Sequence, residues 1–261
     1  MRLANSGEHA WPITFVITSC ARFDLLELTL ASFLAHNAAP ISRYVLVEDS
    51  GDARVREVVA KLGVPFEIII NDPPLGQMAA IDRVYQGITT PYIFHCEDDW
   101  RFFRSGFVEE SMAVLAHDQS ITAVLSRRPG ENASNDLMFA CPVQLAGGVR
   151  YHKATPWLDP FWLGYSFNPG LRRLSDYRAL GSFTRWGHER DASLFFKLRG
   201  RTLAILAEPA CETTGLERGL PQQAVARSRH SRWQMKRASW RYKLAQLINR
   251  SRGRICGRQK P

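Results

Sequence analysis

The sequence predicts an α/β fold in which a mostly parallel sheet is flanked by helices. Short runs of apolar, β-branched residues alternate with stretches of helical periodicity, this unit repeats from residue 13 onward, and polar residues follow each apolar run. Such alternation is typical of parallel sheets because each crossover between parallel strands needs a connecting helix. With 261 residues, of which 45% are hydrophobic, the chain is long enough to build a substantial core.

The predicted elements follow one another in the order strand, helix, strand, helix. The strands, each a short apolar run, are expected at residues 13–18, 44–47, 66–70, 92–96 and 202–207. The helices, each with apolar residues at helical spacing, are expected at residues 23–36, 55–62, 77–87 and 189–198. Residues 126–148 are rich in Pro, Gly, Asn and Ser and predict a loop.

Positive charge is concentrated at the C-terminal end of the chain. The net charge is +9, but residues 224–261 hold 12 Lys or Arg and no acid, whereas the preceding residues hold 22 basic and 25 acidic side chains. We therefore divide the chain into a main domain, residues 1–222, and a basic extension, residues 223–261, expected to be helical.

The basic extension has the composition of an interfacial membrane helix. Its apolar residues, including Trp233 and Trp240, fall near one helical face, and basic residues occupy the rest. An anionic membrane surface is therefore a predicted partner, with a helix packed on its own domain or a solvated end as the alternatives. Nucleic acid is not expected, because no recognisable binding module accompanies the charge.

The sequence favours a cytoplasmic protein, with peripheral contact on the inner face of the membrane as an open alternative. The first 12 residues lack the apolar stretch of a secretory signal, and no window approaches the roughly 18 apolar residues of a membrane span. The five cysteines have no CxxC spacing and are expected to be free thiols.

Three consecutive carboxylates, Glu97, Asp98 and Asp99, directly follow the fourth predicted strand. Ligands of such sheets bind beyond the carboxyl ends of the strands. Adjacent carboxylates repel one another unless they face water or a cation, and Mg²⁺ typically combines one or two carboxylates with substrate phosphates. The cluster therefore indicates a metal-assisted phosphate site, although acidic strand ends also occur in ordinary solvated turns.

Three segments together, VITSCAR at 16–22, VLVEDSG at 45–51 and PYIFHCEDDW at 91–100, resemble family 2 and related GT-A glycosyltransferases. The resemblance covers roughly residues 13–220 and implies a Rossmann-like GT-A fold. It implies transfer of a sugar from a nucleotide diphosphate, with a UDP-sugar as our expectation, to a glycan or lipid-linked acceptor. It also implies nucleoside-binding roles, which fall on Thr18, Arg22, Asp49 and Asp72.

The same resemblance implies further residues for the donor and the metal. Residues 76–82 look like the helix beneath the nucleotide-sugar, which places Gln77 and Asp82 in donor binding. The acidic cluster looks like the DxD motif. Asp98 would then face the donor, while Asp99, with Glu97, would bind Mn²⁺ or Mg²⁺.

Residues 167–171 and 187–191 resemble the acceptor-side segment and the base motif of inverting members. Inverting transfer needs a carboxylate to remove the acceptor proton, and Glu189 is the first candidate, Asp191 the second. Both acids are also favoured at a helix N-terminus by the helix dipole. In one departure, Thr213 stands where relatives often carry a metal-binding His.

Two other functions remain open from the sequence. A nucleotidyltransferase shares the architecture and the acidic site, but it would be expected to carry a Gly-rich phosphate loop after the first strand, and residues 18–23 contain no glycine. A catalytically inactive sugar- or lipid-binding protein is favoured by Thr213.

Overall fold

The main domain is described by a computed structural model over residues 11–128, 142–155 and 158–215. Residues 236, 237, 240 and 244 of the basic extension are also described, and the prediction of a helix there otherwise lies outside the described residues. Within the described part of the chain, Cys20 and Cys96 are free thiols, as expected, and no helix is long and apolar enough to cross a bilayer.

The strands confirm the predicted alternation with helices and add shorter elements. They are β1 (Ile13–Ser19), β2 (Arg43–Glu48), β3 (Phe66–Ile70), β4 (Tyr92–Glu97), β5 (Trp100–Phe102), β6 (Ile121–Leu125), β7 (Val143–Ala146), β8 (Val149–Lys153), β9 (Gly170–Arg173), β10 (Thr202–Leu206) and β11 (Cys211–Thr213). The helices are α1 (Phe23–His36), α2 (Val55–Ala60), α3 (Gln77–Tyr85), α4 (Phe107–His117), α5 (Leu174–Leu180) and α6 (Glu189–Lys197), with a 3₁₀ turn at Phe183–Arg185.

Nine strands form one sheet in the order β3-β2-β1-β4-β9-β6-β10-β8-β7, and β5 pairs with β11 in a separate ribbon. The strands β3, β2, β1 and β4 are parallel to one another, whereas β9 runs antiparallel to both β4 and β6. The carboxyl ends of the four parallel strands and the amino end of β9 therefore meet at one edge of the sheet, which we call the carboxyl edge.

Helices cover both faces of this sheet. Phe15 and Ile17 of β1 pack with α1 and α4 on one face, whereas Val16 packs with α3, α5 and α6 on the other. Alternate residues of a strand point to opposite faces, so a continuous apolar run such as β1 is buried on both sides. Phe15 lies against Phe33 of α1 with ring centroids 4.1 Å apart, which fixes α1 over the strand.

The predicted loop at residues 126–148 is wrong in its last part. Val143–Ala146 forms β7 and pairs antiparallel with β8, and Gly147 and Gly148 make the connecting turn at φ values of +58° and +89°. Two adjacent glycines are a known hairpin signal. The strand has no buried alternation to reveal it, because β7 is an edge strand whose Val143 and Leu145 are 43% and 63% exposed.

Candidate active site

The predicted acidic residues gather at the carboxyl edge. Asp49 follows β2, the acidic motif at residues 97–99 follows β4, and Glu189 begins α6. The segment before β9 joins Glu189 to the sheet, because the Phe167 amide donates to Glu189 Oε1 at 2.9 Å. From the same segment, Asn168 Nδ2 approaches Glu97 Oε2 at 3.5 Å.

Arg22, at the start of α1, binds both aspartates of the motif. Its Nη1 donates to Asp99 Oδ2 at 2.9 Å, its Nε donates to Asp98 Oδ2 at 3.3 Å, and its Nη2 pairs with Asp98 Oδ1. Asp98 is 1% exposed and Asp99 is 20% exposed on their side chains. Arg22 therefore compensates the charge of the motif, and its expected contact with the nucleoside stays a prediction.

Glu48, which the sequence analysis did not single out, fixes the loop after β1. Its Oε1 accepts hydrogen bonds from the Ala21 amide at 2.9 Å and the Ser50 amide at 3.0 Å, and Ala21 has a φ of +57°. The signal available in the sequence is a buried acid at a strand end with Ser two residues later. Thr18 lies half-buried beside this loop, opposite Val47 of β2.

Asp49 organises the loop before α3. Its carboxylate accepts hydrogen bonds from Asn71 Nδ2 at 2.8 Å, the Leu75 amide at 2.9 Å and the Gly76 amide at 2.7 Å. These protein donors occupy both carboxylate oxygens, so the expected contact of Asp49 with the nucleoside has no support beyond the resemblance. Asp72, in contrast, is exposed in the same loop.

The two donor-site candidates on α3 have different surroundings. Gln77 Nε2 donates to Glu97 Oε1 at 3.1 Å, which places Gln77 beside the acidic motif. Asp82 is buried and accepts hydrogen bonds from Tyr177 Oη at 3.0 Å and the Phe183 amide at 2.8 Å. Asp82 therefore joins α3 to α5 and the 3₁₀ turn. Its expected contact with the nucleotide-sugar stays a prediction.

The acidic motif carries more negative charge than Arg22 compensates. Burial, followed by repulsion from Asp99, Glu189 and Asp98, raises the pKa of Glu97 to about 8. Burial also raises the pKa of Asp98 to about 6, even though Arg22 beside it acts in the opposite direction. Both shifts mean that the ionised forms are disfavoured, and an added cation would relieve this.

The acidic motif does not form a complete metal site by itself. Among the residues described, no group of three or more His, Cys, Asp or Glu is arranged to hold a metal ion. Arg22 engages both carboxylate oxygens of Asp98 and the Oδ2 atom of Asp99, so Glu97 and Asp99 are the residues that would supply oxygen ligands. Two carboxylates completed by water and substrate phosphates suit Mg²⁺ and similar hard cations, so these residues fit a metal that arrives with the nucleotide.

The strand that carries Thr213 lies directly against Asp99. The Asp99 carbonyl accepts hydrogen bonds from the Thr214 amide at 2.8 Å and from Thr213 Oγ1 at 3.3 Å. A Cβ atom on Gly215 would lie 2.5 Å from the Cβ of Asp99, so only glycine allows this approach. Thr213 thus supports the backbone of Asp99, and its equivalence to a metal-binding His stays a prediction.

The two candidate bases differ in their exposure. Glu189 is half-buried beside the segment before β9, whereas Asp191, in the same first turn of α6, is buried. Burial raises the pKa of Glu189, while the Phe167 amide, the Ser166 side chain and the charge of Arg172 act to lower it. Glu189 is therefore the carboxylate of the two that is better placed to meet a substrate.

Solved structures with bound nucleotide-sugars share this fold. A mannosyltransferase from Pyrobaculum calidifontis, PcManGT, in complex with GDP-Man and Mn²⁺, has a TM-score of 0.60 and 13% identity, over 79% of this chain and 58% of that chain. Residues 1–349 of S. aureus TarS, in complex with UDP-GlcNAc, have a TM-score of 0.60 and 11% identity, over 82% of this chain and 62% of that chain. GalNAc-T7, with UDP, GalNAc and Mn²⁺, has a TM-score of 0.59 and 12% identity, over 89% of this chain and 50% of that chain.

The comparisons establish the architecture rather than the reaction. No protein-family model matches the chain, and no curated protein sequence matches it. The chain spans 58% of PcManGT and 50% of GalNAc-T7, so it corresponds to part of these proteins. The topology and the structural likeness agree with the fold that the sequence predicts: the chain has the GT-A fold of nucleotide-sugar glycosyltransferases.

Proposed function

We propose that the protein is a glycosyltransferase that moves a sugar from a nucleotide-diphosphate donor to a glycan or lipid-linked acceptor, with Mn²⁺ or Mg²⁺ assisting. The observation that carries the proposal is the convergence of the motif at residues 97–99 with Glu189 at the carboxyl edge. Asn168 and Phe167, which contact Glu97 and Glu189 respectively, connect the two.

The donor side of the proposed site is the acidic motif and the loops after β1 and β3. A diphosphate is an anion, and carboxylates outnumber Arg22 at this edge, so a divalent cation is needed to bring the two together. Asp99 and Glu97 would hold it, and when bound it would stabilise the departing diphosphate. Exposed Asp72 and half-buried Thr18 supply polar groups for the nucleoside, with a UDP-sugar as the proposed donor.

The acceptor side of the proposed site is Glu189. In an inverting transfer, this carboxylate would take the proton of the attacking hydroxyl while the metal-bound diphosphate leaves. The Phe167 amide donates to Oε1 of Glu189 at 2.9 Å, which orients the carboxylate. Asp191 is the alternative base, and its burial makes it the weaker choice.

A second candidate is a catalytically inactive sugar- or lipid-binding protein. It is favoured by Arg22, which already pairs with Asp98 and Asp99, and by Thr213 in the position of a metal ligand. A nucleotidyltransferase remains as the third reading of the acidic site, and nothing in the described contacts favours it over the other two.

The three functions separate in one set of measurements. Nucleotide release is followed from UDP- and GDP-sugars with Mn²⁺, with Mg²⁺ and with a chelator, and donor binding is measured by calorimetry. The glycosyltransferase predicts cation-dependent release of a nucleoside diphosphate. Donor binding without release indicates the inactive binder, and pyrophosphate release from a nucleoside triphosphate with a sugar phosphate indicates the nucleotidyltransferase.

A further inference from the structure

Arg172, in the centre of β9, is a fully buried cation next to the proposed site. It is 1% exposed and lies on the sheet face that α3, α5 and α6 cover. Its Nη1 donates to the Ser166 carbonyl at 2.9 Å and to Tyr165 Oη at 3.2 Å. Its Nη2 donates to the Asn168 carbonyl at 2.9 Å and to the Gly170 carbonyl at 3.4 Å.

Each of these acceptors is a neutral oxygen. Burying a guanidinium removes it from water at a high cost, and neutral carbonyls offset that cost less than a paired carboxylate would. Apolar residues of similar volume often replace buried charged groups with no loss of stability. Stability alone is therefore a weak reason for an arginine at this position.

The carbonyls of Ser166 and Asn168, which accept the two shortest hydrogen bonds from Arg172, flank Phe167. This segment contacts the proposed site. The Phe167 amide orients Glu189 at 2.9 Å, and the Asn168 side chain approaches Glu97 at 3.5 Å. Residues 166–169 form neither helix nor strand, so the regular hydrogen bonds of a helix or sheet do not fix their backbone. The planar fork of arginine can grip two carbonyls at once in a fixed geometry, whereas lysine offers a single point charge.

We propose that Arg172 is a positioning residue: it fixes the segment before β9 so that Phe167 and Asn168 hold Glu189 and Glu97 in register across the site. The inference rests on the proposed function, because it treats Glu189 as the base and Glu97 as part of the donor site. Misplacing such groups by about 1 Å costs on the order of 10²-fold in turnover.

The neighbouring residue provides a matched control. Arg173 is also buried, and it points to the opposite face of the sheet. There its Nη1 donates to the Ile121 carbonyl at 2.7 Å, and its Nη2 donates to the Leu115 carbonyl of α4 and approaches the Asp118 carbonyl at 3.4 Å. Its Nη1 also lies 3.7 Å from Asp176 Oδ2. Arg172→Met and Arg173→Met therefore each remove one buried guanidinium from β9, and only the first is linked to the site.

The test compares wild type with Arg172→Met, Arg172→Lys and Arg173→Met. One readout is kcat and KM for the donor that the wild type turns over, and the other is amide hydrogen exchange of a peptide covering residues 165–171. We expect Arg172→Met to lower kcat by about 10²-fold with donor KM little changed, and to speed exchange in that peptide. Arg172→Lys should restore part of both, and Arg173→Met should leave both unchanged.

Three results would overturn the inference. One is wild-type kcat and wild-type exchange in Arg172→Met, and another is an equal loss of kcat in Arg173→Met, which would indicate general destabilisation. The third is exchange that stays slow at residues 165–171 while kcat falls, because the segment would then be fixed by other contacts. A wild-type protein that turns over no donor contradicts the proposed function instead, and the exchange readout still decides whether Arg172 holds the segment.

Discussion

The guanidinium of Arg22 donates from Nη1 to Oδ2 of Asp99 at 2.9 Å, across 77 positions of the sequence. The contact is possible because β1 and β4 are neighbouring parallel strands whose carboxyl ends meet. The same guanidinium pairs with the buried Asp98, so the protein supplies one positive charge of its own to the acidic motif.

Replacement of Arg22 by Met should destabilise the fold. Asp98 is 1% exposed and would lose its only salt bridge among the described residues, and an uncompensated buried charge typically costs about 3 kcal/mol or more. The free energy of unfolding, measured in urea at neutral pH, should fall by about that amount. Arg54→Met is the control, because the Arg54 side chain is 72% exposed and its pair with Asp52 lies in solvent. Equal midpoints for the two variants would contradict the prediction.

Glu97 should make the metal-free protein less stable as the pH rises. Its pKa is raised from 4.5 to about 8, first by burial and then by the nearby carboxylates. Between these values the folded protein keeps a proton that the unfolded chain has released, so the free energy of unfolding decreases with pH across that window.

Glu97→Gln removes this titration. In chelator, its free energy of unfolding should decline less than that of the wild type between about pH 5 and 8. Asp98, whose pKa is raised to about 6 chiefly by burial, titrates in both proteins and serves as an internal reference. Parallel slopes for the two proteins would show that Glu97 is ionised in the fold throughout this range.

Glu189→Gln should lose turnover and keep donor binding. The substitution removes the proton acceptor and should lower kcat by about 10²–10⁴-fold. The side-chain oxygen of the glutamine can still accept the hydrogen bond from the Phe167 amide. Steady-state nucleotide release and calorimetric donor binding measure the two effects separately. Asp191→Asn is the companion variant, and if it is the more severely impaired of the two, the base has been assigned to the wrong carboxylate.

The sequence predicted best the elements that apolar residues mark throughout. The bounds of α1 and β3 agree with the predicted ones, because apolar periodicity marks each element along its whole length. The sequence of β9, GLRR, in contrast, looks polar although all four residues are buried. Its arginines donate to carbonyls of the segment before β9 and of residues in and just after α4, and the local sequence carries no sign of those partners.

The placement of the candidate residues in the fold was predicted better than their contacts. The acidic motif and Glu189 could be placed because polar residues at strand ends and helix starts gather at one edge of a parallel sheet. The anchoring of Asp82 by Tyr177 and Phe183 could not be predicted, because those donors lie about 100 residues away and meet it only after the sheet has formed.

Removal of residues 224–261 should leave a folded domain that no longer pellets with anionic vesicles. The removed residues carry 12 positive charges, whereas the rest of the chain sums to −3. Each basic residue near an anionic surface contributes about 1 kcal/mol, and Trp240, which is 79% exposed, is available as an interfacial anchor. Binding of the full chain should weaken with salt and with Trp233→Ala plus Trp240→Ala.

The contrary result for the extension is equal pelleting of the full and the shortened chain. That would exclude the basic extension as a membrane anchor. A shortened chain that unfolds would show instead that the extension belongs to the core of the main domain, and thermal denaturation of the shortened chain distinguishes these outcomes.

Asp99→Asn tests the central claim, that the acidic motif at the carboxyl edge is the site of sugar transfer. The side chain is 20% exposed at a strand end, so the variant should fold with an unchanged melting temperature. The measurement is nucleotide release from the donor that the wild type uses, at saturating Mn²⁺. The account predicts a loss of about 10²-fold or more, as expected when charge stabilisation of a leaving group is removed. A folded Asp99→Asn protein that releases nucleotide at the wild-type rate would contradict it.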